Sequence, residues 1–300
     1  SIALGLNAGQ TAQGTNSIAI GHQSASSNQS GLAISIGYEA GQTAQGANNV
    51  AMGYRAGQDN QSSQAVAIGY LTGQTGQSNA TVAVGTQAAV ANQGSYGVAI
   101  GAIAGQHKQG QSSAPLCSYA VRTDQPSAAS VLGLQAMPGS PVATYSVAMG
   151  YQAGRDGQGH KALAIGSLAG ATGQAEGAVA IGRQAGQTGQ KDDAVAIGKK
   201  AGGSNQGTGA VAIGCFAGMT GQGDHSIAIG YHATYNSLDG LALPQVGGSI
   251  VINATNKGGA NDGITAGANG FYVAHVRQDT LGNGGGMWYD TNSKEIKHES

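Results

Sequence analysis

The chain has 300 residues and a formal net charge of −1, and charged residues make up 9% of it, against roughly 25% in ordinary globular proteins. It contains 54 glycines but only 2 phenylalanines and 1 tryptophan, so the bulky side chains of an ordinary hydrophobic core are scarce. The sequence has neither a basic run nor an apolar stretch near the ~20 residues of a membrane span, so we expect neither nucleic-acid binding nor membrane insertion.

A short apolar segment that closes on glycine recurs along the chain, as in Val195-Ala196-Ile197-Gly198, and we call it the tetrad. Its glycine falls every 16 residues from Gly5 to Gly101 and again from Gly150 to Gly230. A fixed short period is typical of solenoids, in which each repeat forms one coil that stacks on its neighbours. The frequent glycines and the β-branched tetrad favour two short strands and tight turns in each coil. We therefore predict an all-β parallel β-roll, or β-solenoid, with 16-residue coils.

Regular coils are predicted over residues 1–110 and again over 150–237, with an irregular stretch at 111–149 that holds four of the five prolines. Within that stretch, Ala114–Cys117 and Ser130–Gly133 stay on the 16-residue grid, and one extra residue enters before Gly150. We interpret the stretch as two degenerate coils with longer loops. The shaft is thus predicted to span residues 1–240.

The period fails after the shaft, and residues 241–300 are predicted to form a small C-terminal β cap. Ser249–Asn253 resembles a tetrad without its glycine, and aromatic residues gather between Phe271 and Tyr289. The turn-forming residues 290–293, followed by Lys294-Glu295-Ile296, predict a hairpin with a return strand. A cap of this kind would cover the exposed edge of the last coil.

Alternate tetrad residues point to opposite faces of a strand, so Val195 and Ile197 share one face and Ala196 lies on the other. Both faces are apolar, and such a strand is usually buried on both. We expect one face to fill the coil and the column of alanines to lie against a second chain. The tetrad therefore predicts oligomerisation along the whole shaft.

Two columns of residues are assigned a structural role. Glycine suits a backbone with positive φ or no room for a Cβ, and stacked glutamine amides hydrogen-bond along a parallel array. The assigned residues are Gly21, Gly53, Gly69, Gly101, Gly166, Gly182, Gly198, Gly214, Gln45, Gln77, Gln174 and Gln190. A row of amides that binds glycan is the alternative for the glutamines.

Tyrosine often follows the tetrad glycine, at a position that tolerates many residue types and is therefore expected to face solvent. The candidates for surface recognition are Tyr38, Tyr54, Tyr70, Tyr151 and Tyr231. They could stack on sugars, and the alternative is that they are merely exposed.

The sequence offers no catalytic, cofactor-binding or metal-binding constellation, and we predict that the chain is not an enzyme. The histidines lack metal-ligand spacing, and the acidic residues are too sparse for repeated calcium coordination. Cys117 and Cys215 lie about six coils, or ~30 Å, apart if each coil rises ~4.8 Å. A disulfide needs Cα atoms within about 7 Å, so we expect the two cysteines not to be bonded.

The segments Ser17–Gly21, Ser146–Gly150 and Ser226–Gly230 resemble the S-V-A-I-G repeat of YadA-like trimeric autotransporter adhesin heads. The resemblance covers roughly residues 1–237 and implies a left-handed homotrimeric β-roll that binds a host receptor or glycan. The coil is longer than the commonest head repeat, and no neck motif follows it. Phe271–Arg277 and Tyr289–Ile296 instead resemble fibre proteins of phages and large DNA viruses, in which such segments precede a cleavable chaperone domain.

Together the two resemblances imply a structural fibre or adhesin on a virion surface or an extracellular cell surface. Two other hypotheses stay open. An ice-binding solenoid is suggested by a column of threonines, at Thr11, Thr43, Thr75, Thr172, Thr188 and Thr220. A β-helical tail-spike enzyme that degrades polysaccharide would need a cluster of carboxylates in a groove.

Overall fold

The computed structural model describes residues 1–120, 127–136, 144–234, 244–253, 270–273, 287–290 and 295–298. In these ranges the chain forms strands and turns, wound into a parallel β-solenoid of about 13 turns with coils of about 16 residues. The predicted fold class is confirmed. No helix in these ranges is long and apolar enough to cross a bilayer.

Each coil has a strand over its tetrad, and most coils have a second short strand or bridge after one turn. In chain order the strands are β1 (Ile2–Leu4), β2 (Ile18–Ile20), β3 (Ser27–Gln29), β4 (Ile34–Ile36), β5 (Thr43–Gln45), β6 (Val50–Met52), β7 (Asp59–Gln61), β8 (Val66–Ile68), β9 (Thr75–Gln77), β10 (Val82–Val84), β11 (Ala91–Gln93), β12 (Val98–Ile100), β13 (His107–Gln109), β14 (Ala114–Pro115), β15 (Ser130–Leu132), β16 (Val147–Met149), β17 (Asp156–Gln158), β18 (Leu163–Ile165), β19 (Thr172–Gln174), β20 (Val179–Ile181), β21 (Val195–Ile197), β22 (Val211–Ile213), β23 (Ile227–Gly230), β24 (Ile250–Asn253), β25 (Phe271–Val273), β26 (Met287–Asp290) and β27 (Glu295–His298).

The tetrad strands stack in parallel along the shaft, in the orders β1-β2-β4-β6-β8-β10-β12 and β14-β15-β16-β18-β20-β21-β22-β23-β24-β25. A parallel bridge between Ile100 and Leu116 connects these two series, which we together call the tetrad sheet. The second strands stack as β13-β11-β9-β7-β5-β3 and as the pair β17-β19. Each residue therefore lies beside its equivalent in the next coil, as Val195 lies beside Val211.

Two turns connect the strands of a coil, at opposite ends of the tetrad strand. The first turn begins at the tetrad glycine, as in Gly198–Gly202, and the second turn precedes the next tetrad, as in Lys191–Ala194. Gly198 has a φ of +126°, and a Cβ there would lie 2.6 Å from the carbonyl oxygen of Gly214 in the next coil. Glycine allows the backbones to approach this closely where the first turn begins.

The inside of the coil is lined by alanine, which reverses the expected orientation of the tetrad. Ala196 is completely buried within one chain, whereas Val195 and Ile197 lie on the outer face and stay partly exposed. The expectation that the alanine column faces a second chain is therefore wrong. The interior is narrow, since a Cβ added to Gly202 would lie 3.1 Å from the Ala196 Cβ. The interior tetrad position holds a larger residue in only a few described coils, as at Val131 and Val251.

Glutamine fills the rest of the interior, and the largest fully buried side chains are all glutamines. The Gln190 Nε2 donates to the carbonyl oxygens of Val179 at 2.8 Å and Ala194 at 2.9 Å. It also lies 3.2 Å from the Oε1 of Gln206 in the next coil. The Gln190 amide thus joins the second strand to the tetrad strand across the core and joins one coil to the next. We call this column the glutamine ladder.

The glutamine ladder contains the residues assigned from sequence and extends beyond them. Amide-to-amide hydrogen bonds of 2.9–3.4 Å link Gln29, Gln45, Gln61, Gln77 and Gln93, and others of 3.2 Å link Gln174, Gln190, Gln206 and Gln222. All of these side chains are buried, so none of them forms a row of amides that could bind a glycan at the surface.

The irregular stretch continues the coil where it is described. β14 pairs with β15, and β15 pairs with β16 after the extra residue, so that Ser130 lies beside Val147. Cys117 in this stretch is an exposed free thiol, and Cys215 is a partly exposed free thiol. The predicted boundary at residue 240 lies outside the described residues.

The tetrad sheet continues beyond the last regular coil. β24 pairs in register with β23, and β25 pairs with β24, where Tyr272 packs against the alanine core. β26 and β27 form an antiparallel pair in which Asp290 lies beside Glu295, so the predicted return strand is confirmed.

We predict that Gln190→Leu lowers the free energy of unfolding by about 2–3 kcal/mol, because the Gln206 Oε1 loses its donor and the Gln174 amide loses an acceptor inside the core. Urea denaturation followed by circular dichroism measures the change. Gln187→Leu is the matched control, since Gln187 is partly exposed in the same coil and should change stability by no more than about 0.5 kcal/mol. Equal losses in the two variants would show that the ladder adds no stability.

Candidate recognition surface on the first turns

The first turn presents its second and third residues to solvent. The residue after the tetrad glycine stands at the corner of the coil, and the next residue takes a left-handed conformation, as Arg55 does with a φ of 52°. The five tyrosines proposed for recognition all occupy the corner, and they are 37–50% exposed. Because the coils are in register, corner residues of consecutive coils lie above one another.

Three of these tyrosines form a continuous stack that begins at a histidine. The ring centroids are 5.0 Å apart from His22 to Tyr38 and 5.2 Å apart at both steps from Tyr38 through Tyr54 to Tyr70, with interplanar angles of 8–16°. The spacing follows the ~4.8 Å separation of neighbouring strands. We call these four residues the tyrosine stack.

The tyrosine stack offers its edges to a ligand, because neighbouring rings cover one another's faces. A sugar could stack only on the two outer faces, those of His22 and Tyr70. The exposed part of Tyr38 and Tyr54 is therefore ring edge and hydroxyl. The stack suits hydrogen bonding along its length better than the face-on sugar stacking suggested by the sequence.

Charges beside the tyrosine stack neutralise each other within the chain. The Arg55 Nε donates to the Glu39 carboxylate at 2.7 Å, and the Gln58 Nε2 donates to the same carboxylate at 2.9 Å. Hydrogen bonding to Glu39, and then its negative charge, raises the pKa of the Tyr38 hydroxyl, and hydrogen bonding to Glu39 also raises the pKa of Arg55. The Arg55 guanidinium lies 5.3 Å from the centre of the Tyr54 ring.

The other two predicted tyrosines lie outside this stack. Tyr231 stacks on His232 with a centroid distance of 4.0 Å, and both rings meet Phe216 edge-on. The ammonium groups of Lys199 and Lys200 lie 5.1 Å and 5.7 Å from the centre of the Phe216 ring. Tyr151 has no ring contact in the described ranges.

The sequence reasoning missed His22, Phe216 and His232 as members of these aromatic groups. The signal was present, because all three lie one or two places after a tetrad glycine. The tyrosine pattern at the corner does not include the histidine at that position, nor the aromatic residues at the left-handed position that follows it.

No group of three or more histidine, cysteine, aspartate or glutamate residues in the described ranges could hold a metal ion. What the first turns offer is aromatic edges, hydroxyls and separate charges, which suit contact with another molecule.

Comparison with known proteins identifies part of the repeat. Residues 12–40 and 158–185 each match the YadA head domain repeat. No curated protein and no solved structure matches the chain. The matched segments contain the first turns with His22 and Tyr38 and with Arg183, and they support the YadA-like part of the resemblance.

We predict that Tyr54→Ala divides the tyrosine stack and lowers the free energy of unfolding by about 1–2 kcal/mol, because two aromatic contacts are lost. Denaturation midpoints measure the effect, and the near-ultraviolet circular dichroism of the tyrosines should weaken as well. Tyr151→Ala removes a similarly exposed corner tyrosine without a ring partner in the described ranges. It should lower the free energy of unfolding by at most about half as much as Tyr54→Ala. An equal cost in both variants would contradict a cooperative stack.

Proposed function

We propose that the chain is the shaft of a homotrimeric fibre that attaches a cell or a virion to a host surface. The observation that carries the proposal is the outer face of the tetrad sheet. Val195 and Ile197, with their equivalents in neighbouring coils, form two apolar columns along the shaft, and Ile68, Ile100 and Ile213 are 38–44% exposed. A long apolar surface of this kind is typical of a protein–protein interface.

A second copy of the same chain fits these columns, since both surfaces are apolar and have the same repeat along the axis. Closed symmetry removes the interface from solvent, and three sheets facing one axis are a simple closed arrangement. The number three rests on the similarity to YadA head repeats. With about 13 coils of about 4.8 Å each, the shaft would be about 60 Å long.

Attachment is the role that the exposed first turns support. In a trimer with its tetrad sheets inside, the first turns border the outer grooves between neighbouring chains, and the tyrosine stack is repeated three times. A host receptor or glycan is the proposed ligand, bound through ring edges and hydroxyls. We propose a structural and binding role without catalysis.

The proposed location is outside the cell. The match to YadA head repeats favours an extracellular cell surface. The resemblance of Phe271–Arg277 and Tyr289–Ile296 to viral fibre proteins is the reason to include the surface of a virion.

The column of threonines is too irregular to favour ice binding. Asp59 interrupts it between Thr43 and Thr75 and accepts a hydrogen bond from the Thr43 hydroxyl. Ala91 and His107 continue the same column without a hydroxyl.

We predict that Ile197→Asp weakens assembly at least about tenfold while the coil stays folded, because the charge lies on the outer face of the tetrad sheet. Ala196→Asp should abolish the fold itself, since Ala196 is completely buried within one chain. Sedimentation velocity reports the assembly, and far-ultraviolet circular dichroism reports the fold.

Thr188→Asp is the control, because it adds the same charge on an exposed position of the same coil where other coils already carry Asp59 or Asp156. It should sediment like the wild type. If Ile197→Asp also sediments like the wild type, the tetrad sheet is not the interface.

The attachment function has its own test. Beads coated with wild-type protein should adhere to at least one of a panel of cell types, and adhesion no greater than that of albumin-coated beads would contradict an attachment function.

A further inference from the structure

Three cations on the first turns of the second half of the shaft have no acidic partner among the described residues. Arg183, Lys199 and Lys200 project from consecutive coils, and the five first turns between Gly166 and Thr234 contain no aspartate or glutamate. None of the three cations forms a salt bridge in the described part of the chain. Their positive charge is therefore uncompensated on this edge.

The opposite edge of the same coils carries more acids than cations. Its cation Lys191 lies 3.8 Å from the Asp224 carboxylate of another second turn. Glu176, Asp192 and Asp193 lie on second turns and are exposed. Glu176 makes an exposed salt bridge with Lys161 at 3.2 Å, whereas Asp192 and Asp193 have no cationic partner among the described residues. The two edges are separated by the tetrad strand and its flanking turns, on the order of 15 Å, which exceeds the ~10 Å Debye length at 0.1 M salt.

Each cation corresponds to one acid. Arg183, Lys199 and Lys200 follow Glu176, Asp192 and Asp193 by seven residues in each case. Seven residues are less than half of a 16-residue coil, so the two charges of a pair differ in height along the shaft by only about 2 Å. Every unpaired cation is thus nearly level with an acid on the far edge of its own chain.

The charges of the first half of the shaft are arranged differently. Its second turns, between residues 14 and 113, carry no charged residue. Its first turns carry Glu39 and Arg55, which neutralise each other at 2.7 Å within one edge. In the regular coils that the structure describes, unpaired cations therefore occur on first turns only where acids occupy the second turns.

We infer that the first turn of one chain lies against the second turn of its neighbour, and that these three cations pair with the neighbour's acids. The inference rests on the proposed trimer. A three-fold rotation involves no shift along the axis, so each coil is level with the same coil of its neighbours. If the tetrad sheets face the axis, the first-turn edge of each chain meets the second-turn edge of the next.

Such pairing would align the three chains along the shaft. The apolar columns are nearly identical in every coil, so they would fit almost as well after a slip of one coil, about 4.8 Å. The charged pairs occur in only a few coils, so a slip would separate them. Electrostatic complementarity of this kind fixes register more than it adds affinity.

The test reverses the charge of each edge separately and then of both together. Lys199→Glu with Lys200→Glu, and Asp192→Lys with Asp193→Lys, each place like charges at all three interfaces. We expect each double variant to raise trimer dissociation at least about tenfold at low salt. The variant with all four substitutions should have a trimer dissociation constant within about threefold of the wild-type value. Sedimentation equilibrium at about 0.01 M and about 1 M salt measures this, and the differences should shrink at high salt, where the Debye length is ~3 Å.

Thr86→Glu with Gln87→Glu is the matched control. It adds two acids to a first turn whose corresponding second-turn residues, Asn79 and Ala80, are uncharged. Dissociation should change by less than about twofold, and a change as large as in the other double variants would overturn the inference.

Further results would also overturn the pairing. One is unchanged trimer dissociation in both double variants. Another is a four-substitution variant whose trimer dissociates as readily as that of either double variant. If Lys199→Glu with Lys200→Glu abolishes retention on a heparin column but leaves the trimer intact, the cations bind an external polyanion instead. A wild-type monomer would contradict the proposed trimer itself, whereas a stable trimer without rescue contradicts only the pairing.

Discussion

The narrow interior of the coil determines the rest of the structure. Between the two strands there is room for alanine and for an extended amide, and for little else. The amide must be hydrogen-bonded because it is buried, and Gln190 satisfies it through the carbonyl oxygens of Val179 and Ala194. Valine takes the interior tetrad position only at Val131 and Val251 among the described residues, and the flanking β-branched residues of the tetrad lie on the outer face. The same constraint that makes the coil thin therefore leaves an apolar surface on its outside, which is the interface of the proposed trimer.

The axial repeat of about 4.8 Å has a second consequence, since it stacks like residues on the outside as well as the inside. Inside, the repeat aligns the glutamine amides. Outside, it aligns His22, Tyr38, Tyr54 and Tyr70 at centroid distances of 5.0–5.2 Å, where the rings cover one another's faces. The first turns therefore present ring edges, hydroxyls and charges to solvent, at the positions where the sequence varies most.

Much of the fold could be predicted from the sequence, because a 16-residue spacing fixes which residues lie beside one another. Val195 had to meet Val211, and Ser130 had to meet Val147 after one extra residue. The orientation of the tetrad could not be predicted in this way. Alternation separates Ala196 from Val195 and Ile197, but it does not say which side is the interior, and the thickness of the coil decides that. The stacking geometry of the tyrosines likewise depends on the axial rise and not on residue type.

The central claim is that one chain closes its own core but leaves the outer face of the tetrad sheet to be covered by two further copies. The molar mass of the wild-type protein in solution, measured by light scattering after size exclusion, tests it most directly. We expect three times the 29.4 kDa of one chain, unchanged on moderate dilution. A folded, soluble species of 29.4 kDa would contradict the claim, because the apolar columns would then be stable in water.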